Sequence, residues 1–319
     1  MSYILRRVIV ALITLFLVSI LCFLAFSVIK GDPAVFSANV NTSPEQLETL
    51  REEMGLNRNV FIRYFDWLFN LLRGNPGSSM RYHGEAISTM ISHRIPVSFS
   101  LAILSLLFIL IISVPLSLLT VKREGSLLDR IINFLTAAGI SAPGFFIGIL
   151  FIFLFGFMLK IFIPGEYIDY RENFFGFLGC LFFPALAIAI PNAAVLTKFL
   201  RGSLFSELQS DYVRTARSKG ANSFYTLCRH VLKNAAIPAI TVFGMIIAEV
   251  LSGSVVIEQV FSVPGIGRLL IGAISSRDYP LIQALMVYIA FVVVSANTLA
   301  DIVIMIIDPR IRPSKRAIQ

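Results

Sequence analysis

Charge is scarce in this sequence of 319 residues: Asp, Glu, Lys and Arg make up 14% of it, hydrophobic residues 56%, and the mean hydropathy is +0.81. A soluble domain carries roughly a quarter charged residues, so an ordinary water-soluble fold is excluded. Cysteine and histidine are equally sparse. Cys22, Cys180 and Cys228 are scattered without metal-ligand spacing, which excludes a thiolate zinc site and leaves them as packing residues. His83, His93 and His230 are isolated, so neither a histidine metal site nor a histidine-based catalytic centre is supported. A Gly-x-x-x-x-Gly-Lys-Ser/Thr phosphate loop is also missing, and any ATP chemistry must come from another polypeptide.

What the sequence does have is long apolar runs. Residues 8–29, 97–121, 131–159 and 174–197 contain no Asp, Glu, Lys or Arg, while 234–257 carries only Glu249 and 279–307 only Asp301. Each run reaches the roughly 20 residues that cross a bilayer as a helix. The expectation is an all-α polytopic membrane protein with about six transmembrane helices. The first run is too long for a signal-peptide core and is read as a retained span. With the N-terminus inside, the cytoplasmic segments hold sixteen Lys and Arg residues and the two short external loops, 160–173 and 258–278, hold four. Lys and Arg bias short loops to the cytoplasmic face, so both termini are expected in the cytoplasm.

Three regions follow: an N-terminal arm and first span at 1–29, an extracytoplasmic helical cap at 30–96, and a core at 97–319 that includes a basic cytoplasmic loop near 200–234. In the cap, Ser43-Pro44-Glu45-Gln46 has the chemistry of a helix start, with an N-cap, a proline at the first position and a capping-box Gln; that helix should stop near Gly55. A second amphipathic stretch is predicted over residues 60–72. Phe61, Phe65, Leu68, Phe69 and Leu72 lie on one face, and Tyr64 and Trp67 are placed for an interface.

Candidate chemistry inside the spans is limited. Glu249 and Asp301 are deep carboxylates, costly in lipid, and should face the bundle interior or an aqueous path, or be satisfied by neighbours such as Asn297 or Thr298. An aspartyl-protease dyad lacks its supporting glycine motifs. Ser141-Ala142-Pro143-Gly144 should break or bend the third span, which makes Pro143 and Gly144 a candidate pathway element or a packing kink. Val263-Pro264-Gly265-Ile266-Gly267 followed by Leu269-Leu270-Ile271 reads as a re-entrant or interfacial loop. The basic loop sets seven Lys and Arg residues between Lys198 and Lys233 against Glu207 and Asp211. Residues 203–218 can form one helix, Gly220 breaks it, and 223–234 can form another, giving a compact knob built to dock a partner or to lie on anionic lipid.

This knob resembles the coupling, or EAA, loop of permease subunits of ATP-binding-cassette (ABC) importers. The glycine spacing Arg214-Thr215-Ala216-Arg217-Ser218-Lys219-Gly220 is kept, whereas the leading Glu and the final Pro of the usual pattern are replaced by Arg214 and Lys233. Asp211-Tyr212-Val213 through Gly220-Ala221 and Arg229-His230-Val231-Leu232-Lys233-Asn234-Ala235 resemble the dipeptide, oligopeptide and nickel branch. Leu5-Arg6-Arg7 with Gly31-Asp32-Pro33-Ala34, Phe261–Gly267, Arg277-Asp278-Tyr279-Pro280 and Asp308-Pro309-Arg310-Ile311-Arg312 are similar to its B-type subunit, so the likeness runs along nearly the whole chain.

The resemblance implies a type I ABC importer permease fold in a bacterial or archaeal inner membrane, with no catalytic residues, no metal and no cofactor of its own. Its partners would be a homologous second permease, two ATPases that bind ATP and Mg, an extracytoplasmic substrate-binding protein and membrane lipid, with no nucleic acid. Asp211, Arg214, Ala216, Arg217, Gly220, Ala221 and His230 would form the ATPase-coupling surface. Pro143, Gly144, Glu249 and Asp301 would be the pathway candidates. Di- and oligopeptides are the expected cargo, with nickel or a metallophore as the alternative. A proton-coupled secondary transporter using Glu249 or Asp301, and an intramembrane hydrolase, are readings from other classes.

Overall fold

A computed structural model describes residues 3–28, 43, 45, 48, 58–82, 84–220 and 222–307. The predicted helix starting at Ser43-Pro44 lies almost wholly outside the described residues, as do Gly31–Ala34, Ala221 and Asp308–Arg312. The described residues form helices with one isolated bridge, Ser78 to Ala86, and no strand. In chain order the helices are α1 Tyr3–Val28, α2 Val60–Leu72, α3 Ile87–Lys122, α4 Leu127–Ser141, α5 Gly144–Phe151, α6 Phe174–Leu208, α7 Asp211–Ser218, α8 Ser223–Thr226, α9 Leu232–Val260, α10 Ile266–Ser276 and α11 Tyr279–Ile307. Five of the described helical segments are long and apolar enough to cross a bilayer, and a bent pair, α4 with α5 and its extension to Met158, raises the number to six. The six-span expectation is met on those terms.

The bend has a local cause. Proline lacks an N–H and crowds the preceding turn, which forces its predecessor into an extended conformation; Ala142 accordingly has φ −88° and ψ 122°. The chain turns by 103° and restarts at Gly144, with the Pro143 carbonyl accepting from the amides of Phe146 (3.0 Å) and Ile147 (3.2 Å). A π-helical stretch, Ile152–Met158, prolongs α5.

The chain divides into two compact units. The first comprises residues 5–98 and 264–295. Here Asn59 caps α2 by accepting from the Phe61 amide at 2.9 Å, and Tyr64 packs edge-on against Phe23 of α1 while its hydroxyl shares a 2.8 Å hydrogen bond with Ser19. Trp67 also stacks near Phe23, at 5.7 Å. Phe61, Phe65, Phe69 and Leu72 stay exposed. The helix appears where its periodicity predicts it, but Tyr64 and Trp67 form its packed side rather than an interfacial edge. Tyrosine is the residue that can fill space on α1 and also satisfy the Ser19 hydroxyl, which an all-phenylalanine face cannot do.

In the same unit the predicted loop at 263–271 is largely a helix, the 11-residue α10. Ser98 of α3 accepts from the Ile266 amide (2.8 Å) and Arg94 donates to the Pro264 carbonyl (3.1 Å), so α3 side chains satisfy the backbone of the turn that leads into α10. Asp278, fully buried, caps α11 through the Leu281 amide and also accepts from the Ser79 hydroxyl and from the amides of Met80 and Arg81, both at 3.3 Å. Arg81 returns a bond from Nε to the Ser276 carbonyl at 3.0 Å. One carboxylate thus ties the 77–86 loop to the α10–α11 junction.

The second unit comprises residues 99–263 with 1–4 and 296–319, and α6 is its axis. α6 packs against α9, α4 and α5, presenting buried Ala185, Ala187, Ala189, Ala193 and Ala194. Small residues let helix backbones approach closely where lipid offers no hydrophobic drive for association. A Cβ on Gly139 of α4 would sit 3.0 Å from that of Ala194. Pro191 inside α6 cannot donate to the carbonyl of Ala187, and α5 begins at this opened turn: a Cβ on Gly144 would lie 3.3 Å from that carbonyl oxygen.

Candidate coupling surface and pathway residues

The basic segment folds differently from the two helices expected at 203–218 and 223–234. α6 continues to Leu208 and stops at Gln209; Ser210 then offers its carbonyl to the amides of Val213 and Arg214 and opens a new helix, α7. Residues 203–218 are therefore two helices, because Ser210 and Asp211 favour a helix start over a helix interior. After α7 the chain turns at Gly220, whose φ is +80°, a conformation costly to residues with a Cβ. Asn222 accepts from the Thr226 amide at 2.9 Å to start α8. α8 does not end where a knob would close: the π-helical stretch Leu227–Val231 carries it without a break into the long α9. The second short helix is thus the first turns of a membrane-crossing helix.

Val213, Thr226, Leu227 and Val231 are buried and give α7 and α8 a shared base. The outer faces are polar. Asp211, Arg214, Gly220, Tyr225 and His230 are exposed, and Ala216 is half-buried. Arg217 belongs to α7, and Ala221 lies outside the described residues. The Arg214–Asp211 pair, 3.8 Å apart with both side chains largely in solvent, contributes little to stability and leaves both charges open to a partner. Tyr212 donates its hydroxyl to Glu207 at 2.8 Å, pinning the start of α7 to the end of α6. Burial, and then this hydrogen bond to a carboxylate, raise the Tyr212 phenol above its usual value of 10.0.

In the sequence Arg201 is one of seven basic residues between Lys198 and Lys233, and Asp129 lies in the short segment between two apolar runs. The structure pairs them. Arg201 Nη2 lies 3.1 and 3.3 Å from the two carboxylate oxygens of Asp129, and the guanidinium stacks over Phe205 at 4.9 Å. Asp129 also accepts from the Gly125 amide (3.1 Å) and from Asn133 Nδ2 (2.8 Å), while Ser126 caps α4. The α3–α4 turn and the head of α4 are thereby fixed to α6 about two turns before its end at Leu208. The readable signal was an Asp in the first turn after a Ser N-cap, which by itself explains a helix start and not a partner 72 residues away.

The pathway candidates do not gather at one place. Pro143 and Gly144 form the bend against α6. Glu249 is exposed midway along α9, and Asp301, on α11, is half-buried and engaged by neighbouring groups. A cavity of about 560 Å³ in the second unit, walled by Leu104, Phe162, Phe183, Gly176 and Phe261 with Glu166 on its lining, includes none of the four.

Comparison with known proteins decides the family. Residues 113–313 match the model of the binding-protein-dependent transport system inner membrane component, and residues 1–102 match the N-terminal model of the same membrane components. The chain belongs to this family. It is therefore a multi-pass component of the inner membrane. It is 36% identical over 312 residues to the oligopeptide transport system permease protein AppB of Bacillus subtilis, covering 97% of this chain and 99% of that one. The dipeptide transport system permease protein DppB of Lactococcus lactis is 35% identical over 311 residues, covering 98% and 99%. A probable peptide ABC transporter permease protein, y4tP of Sinorhizobium fredii, is 35% identical over 310 residues, covering 97% and 99%. The likeness to these relatives therefore spans nearly the full length of both chains.

Proposed function

We propose that this component is a permease subunit of an ATP-driven importer of di- and oligopeptides. The observation that carries the reading is the end-to-end likeness to permeases named for peptide transport, and none of the relatives compared above is named for nickel, the alternative cargo. The charge bias of the loops supports cytoplasmic termini and a cytoplasmic α7–α8. In that orientation the pair forms a knob for the groove of an ATPase subunit, with Asp211, Arg214, Arg217 and His230 supplying polar contacts, Ala216 permitting close approach, Gly220 making the turn and Ala221 belonging to the same coupling surface. ATP and Mg are bound and hydrolysed by two partner ATPases, since this chain lacks a phosphate loop. A homologous second permease completes the path, and an extracytoplasmic binding protein delivers the peptide.

Because α8 runs straight into α9, and α7 is pinned to α6 through Tyr212 and Glu207, a displacement of the knob pushes on two membrane-crossing helices at once. ATPase closure would thus move α6 and α9 as nearly rigid bodies. The test is uptake of a labelled tripeptide into proteoliposomes holding the complete transporter, with ATP supplied to the ATPase side. Accumulation that follows ATP and requires the binding protein is expected. Uptake driven by a proton gradient without ATP, or accumulation of Ni²⁺ in place of peptide, overturns the reading.

A further inference from the structure

Glu249 is the only acidic residue of α9 before Glu258. It stands 11 residues from the Val260 end of the helix, about 16 Å along the axis at the rise of an α-helix, which is deep in a hydrocarbon core about 30 Å thick. Its side chain is exposed, and so are Met245, Ser252, Gly253 and Val256, the positions that share its face at helical spacing. Among the described residues no ion pair engages its carboxylate. A carboxylate at that depth is too costly to leave against lipid, so this face of α9 meets water or protein.

The pattern of residues argues for water. Close helix-to-helix packing in membranes uses small residues four apart. That row on α9 is Gly244, Ala248 and Ser252, and its Gly244 end is already taken by Ala300 of α11, to which an added Cβ would approach within 3.1 Å. The row through Glu249 is Met245, Glu249, Gly253 and Ile257, which offers a neighbouring backbone only one small residue. Within this subunit no side chain covers Gly253, where an added Cβ would meet nothing within 4 Å. Ser252 turns its hydroxyl back to the Glu249 carbonyl oxygen at 3.2 Å, which leaves the carboxylate as the outward polar group.

We propose that Glu249 is a cation-binding station in the translocation path that pairs with the ammonium group of a lysine side chain in a peptide passing it. The proposal rests on the peptide-importer reading above. An ammonium suits a lone carboxylate better than a metal ion, which requires several ligands at once, and among the described residues no three His, Cys, Asp or Glu side chains come together.

The test uses the complete transporter in proteoliposomes and two tripeptides that differ only in carrying lysine or its uncharged analogue norleucine. Since the same binding protein delivers both, its preference cancels when variants are compared. In Glu249→Gln the ratio of lysyl to norleucyl uptake should fall by roughly tenfold, the loss expected for one hydrogen bond to a charged group, and Glu249→Asp should keep most of the ratio. Independently, Glu249→Cys, in a chain whose Cys22, Cys180 and Cys228 are replaced by Ala, should react with a membrane-impermeant cationic thiosulfonate, and the lysyl peptide should protect it. An unchanged uptake ratio in Glu249→Gln, or a thiol inert to the reagent that instead cross-links to the second permease, overturns the assignment of Glu249 alone. Uptake of neither peptide by the wild-type transporter overturns the peptide reading and this proposal with it.

Discussion

Replacing Asp129 by Asn removes a charge while keeping the side chain's shape, and so isolates what the carboxylate does for the α4–α6 contact. Its two oxygens receive three donors: Arg201 Nη2, the Gly125 amide and Asn133 Nδ2, the last at 2.8 Å. Asparagine offers one oxygen and one NH2 group, so at least one of those donors would face another donor. Breaking one side of a buried ion pair costs about 3–5 kcal/mol. The Asp129 side chain is 8% exposed but that of Arg201 is 28% exposed, so water can re-solvate the abandoned guanidinium. The lower end of that range, discounted, gives about 2–3 kcal/mol for Asp129→Asn.

Arg201→Ala strands the carboxylate on the more buried side and also removes the stacking over Phe205, so about 3–4 kcal/mol is expected. Asp129→Asn combined with Arg201→Ala should cost less than the two single changes together, by a coupling energy of about 1–2 kcal/mol. Reversible unfolding of the purified chain in mixed micelles with rising SDS, followed by Trp67 fluorescence, measures each corner of the cycle. Additivity within about 0.5 kcal/mol would refute the claim that this pair holds the head of α4 on α6.

Gly220→Pro cannot adopt the native φ of +80°, and Ala216→Trp adds bulk beside the turn; both variants should reach the membrane in normal amounts while peptide taken up per ATP hydrolysed drops severalfold, and normal uptake in both would sink the coupling assignment. Asp278→Ala takes the acceptor from the Ser79 hydroxyl and from the Met80 and Leu281 amides, while the Arg81 amide keeps the Ser79 hydroxyl oxygen, a loss of about 2–4 kcal/mol, so limited proteolysis should newly nick residues 77–86; undiminished protection there would contradict the clamp. The raised Tyr212 phenol means that the folded state holds its proton more tightly than the unfolded chain does. Its contribution is therefore fully present below pH 10 and is lost as pH rises through the folded value, so wild type and Tyr212→Phe should differ by a constant amount between pH 6 and 9 and converge above pH 10.

The spans, the bend and α2 are legible in the residues because each has a local cause. A bilayer demands about 20 apolar residues in a row, the Pro143-Gly144 pair carries the chemistry of a helix break where a lone proline such as Pro191 in α6 does not end its helix, and a period of 3.6 marks residues 60–72 as helical whatever they touch. The turn at Gly220 belongs to the same class, since only glycine enters that conformation without penalty. Which face of α2 is packed is not local: Phe61, Phe65 and Phe69 are the more apolar side, yet the choice went to Tyr64 and Trp67 because α1 brings Ser19 and Phe23 to meet them. The α7–α8 pair divides along the same line. Its residue types announce two short helices around a glycine, but only the packed structure shows α6 ending at Leu208 and α8 running on into α9.

Composition and periodicity by themselves determined that this chain lives in a membrane, how many times its apolar runs can cross, and where its backbone must turn. Tertiary structure alone decided which charges have partners. Asp129 finds Arg201 72 residues on, and Asp278 finds Ser79 199 residues back. Glu249 is left facing outward on α9, a direction that its place inside an apolar run does not fix. A carboxylate's cost is set by the donors within hydrogen-bond reach and by the water it loses, and both quantities exist only after distant segments have packed.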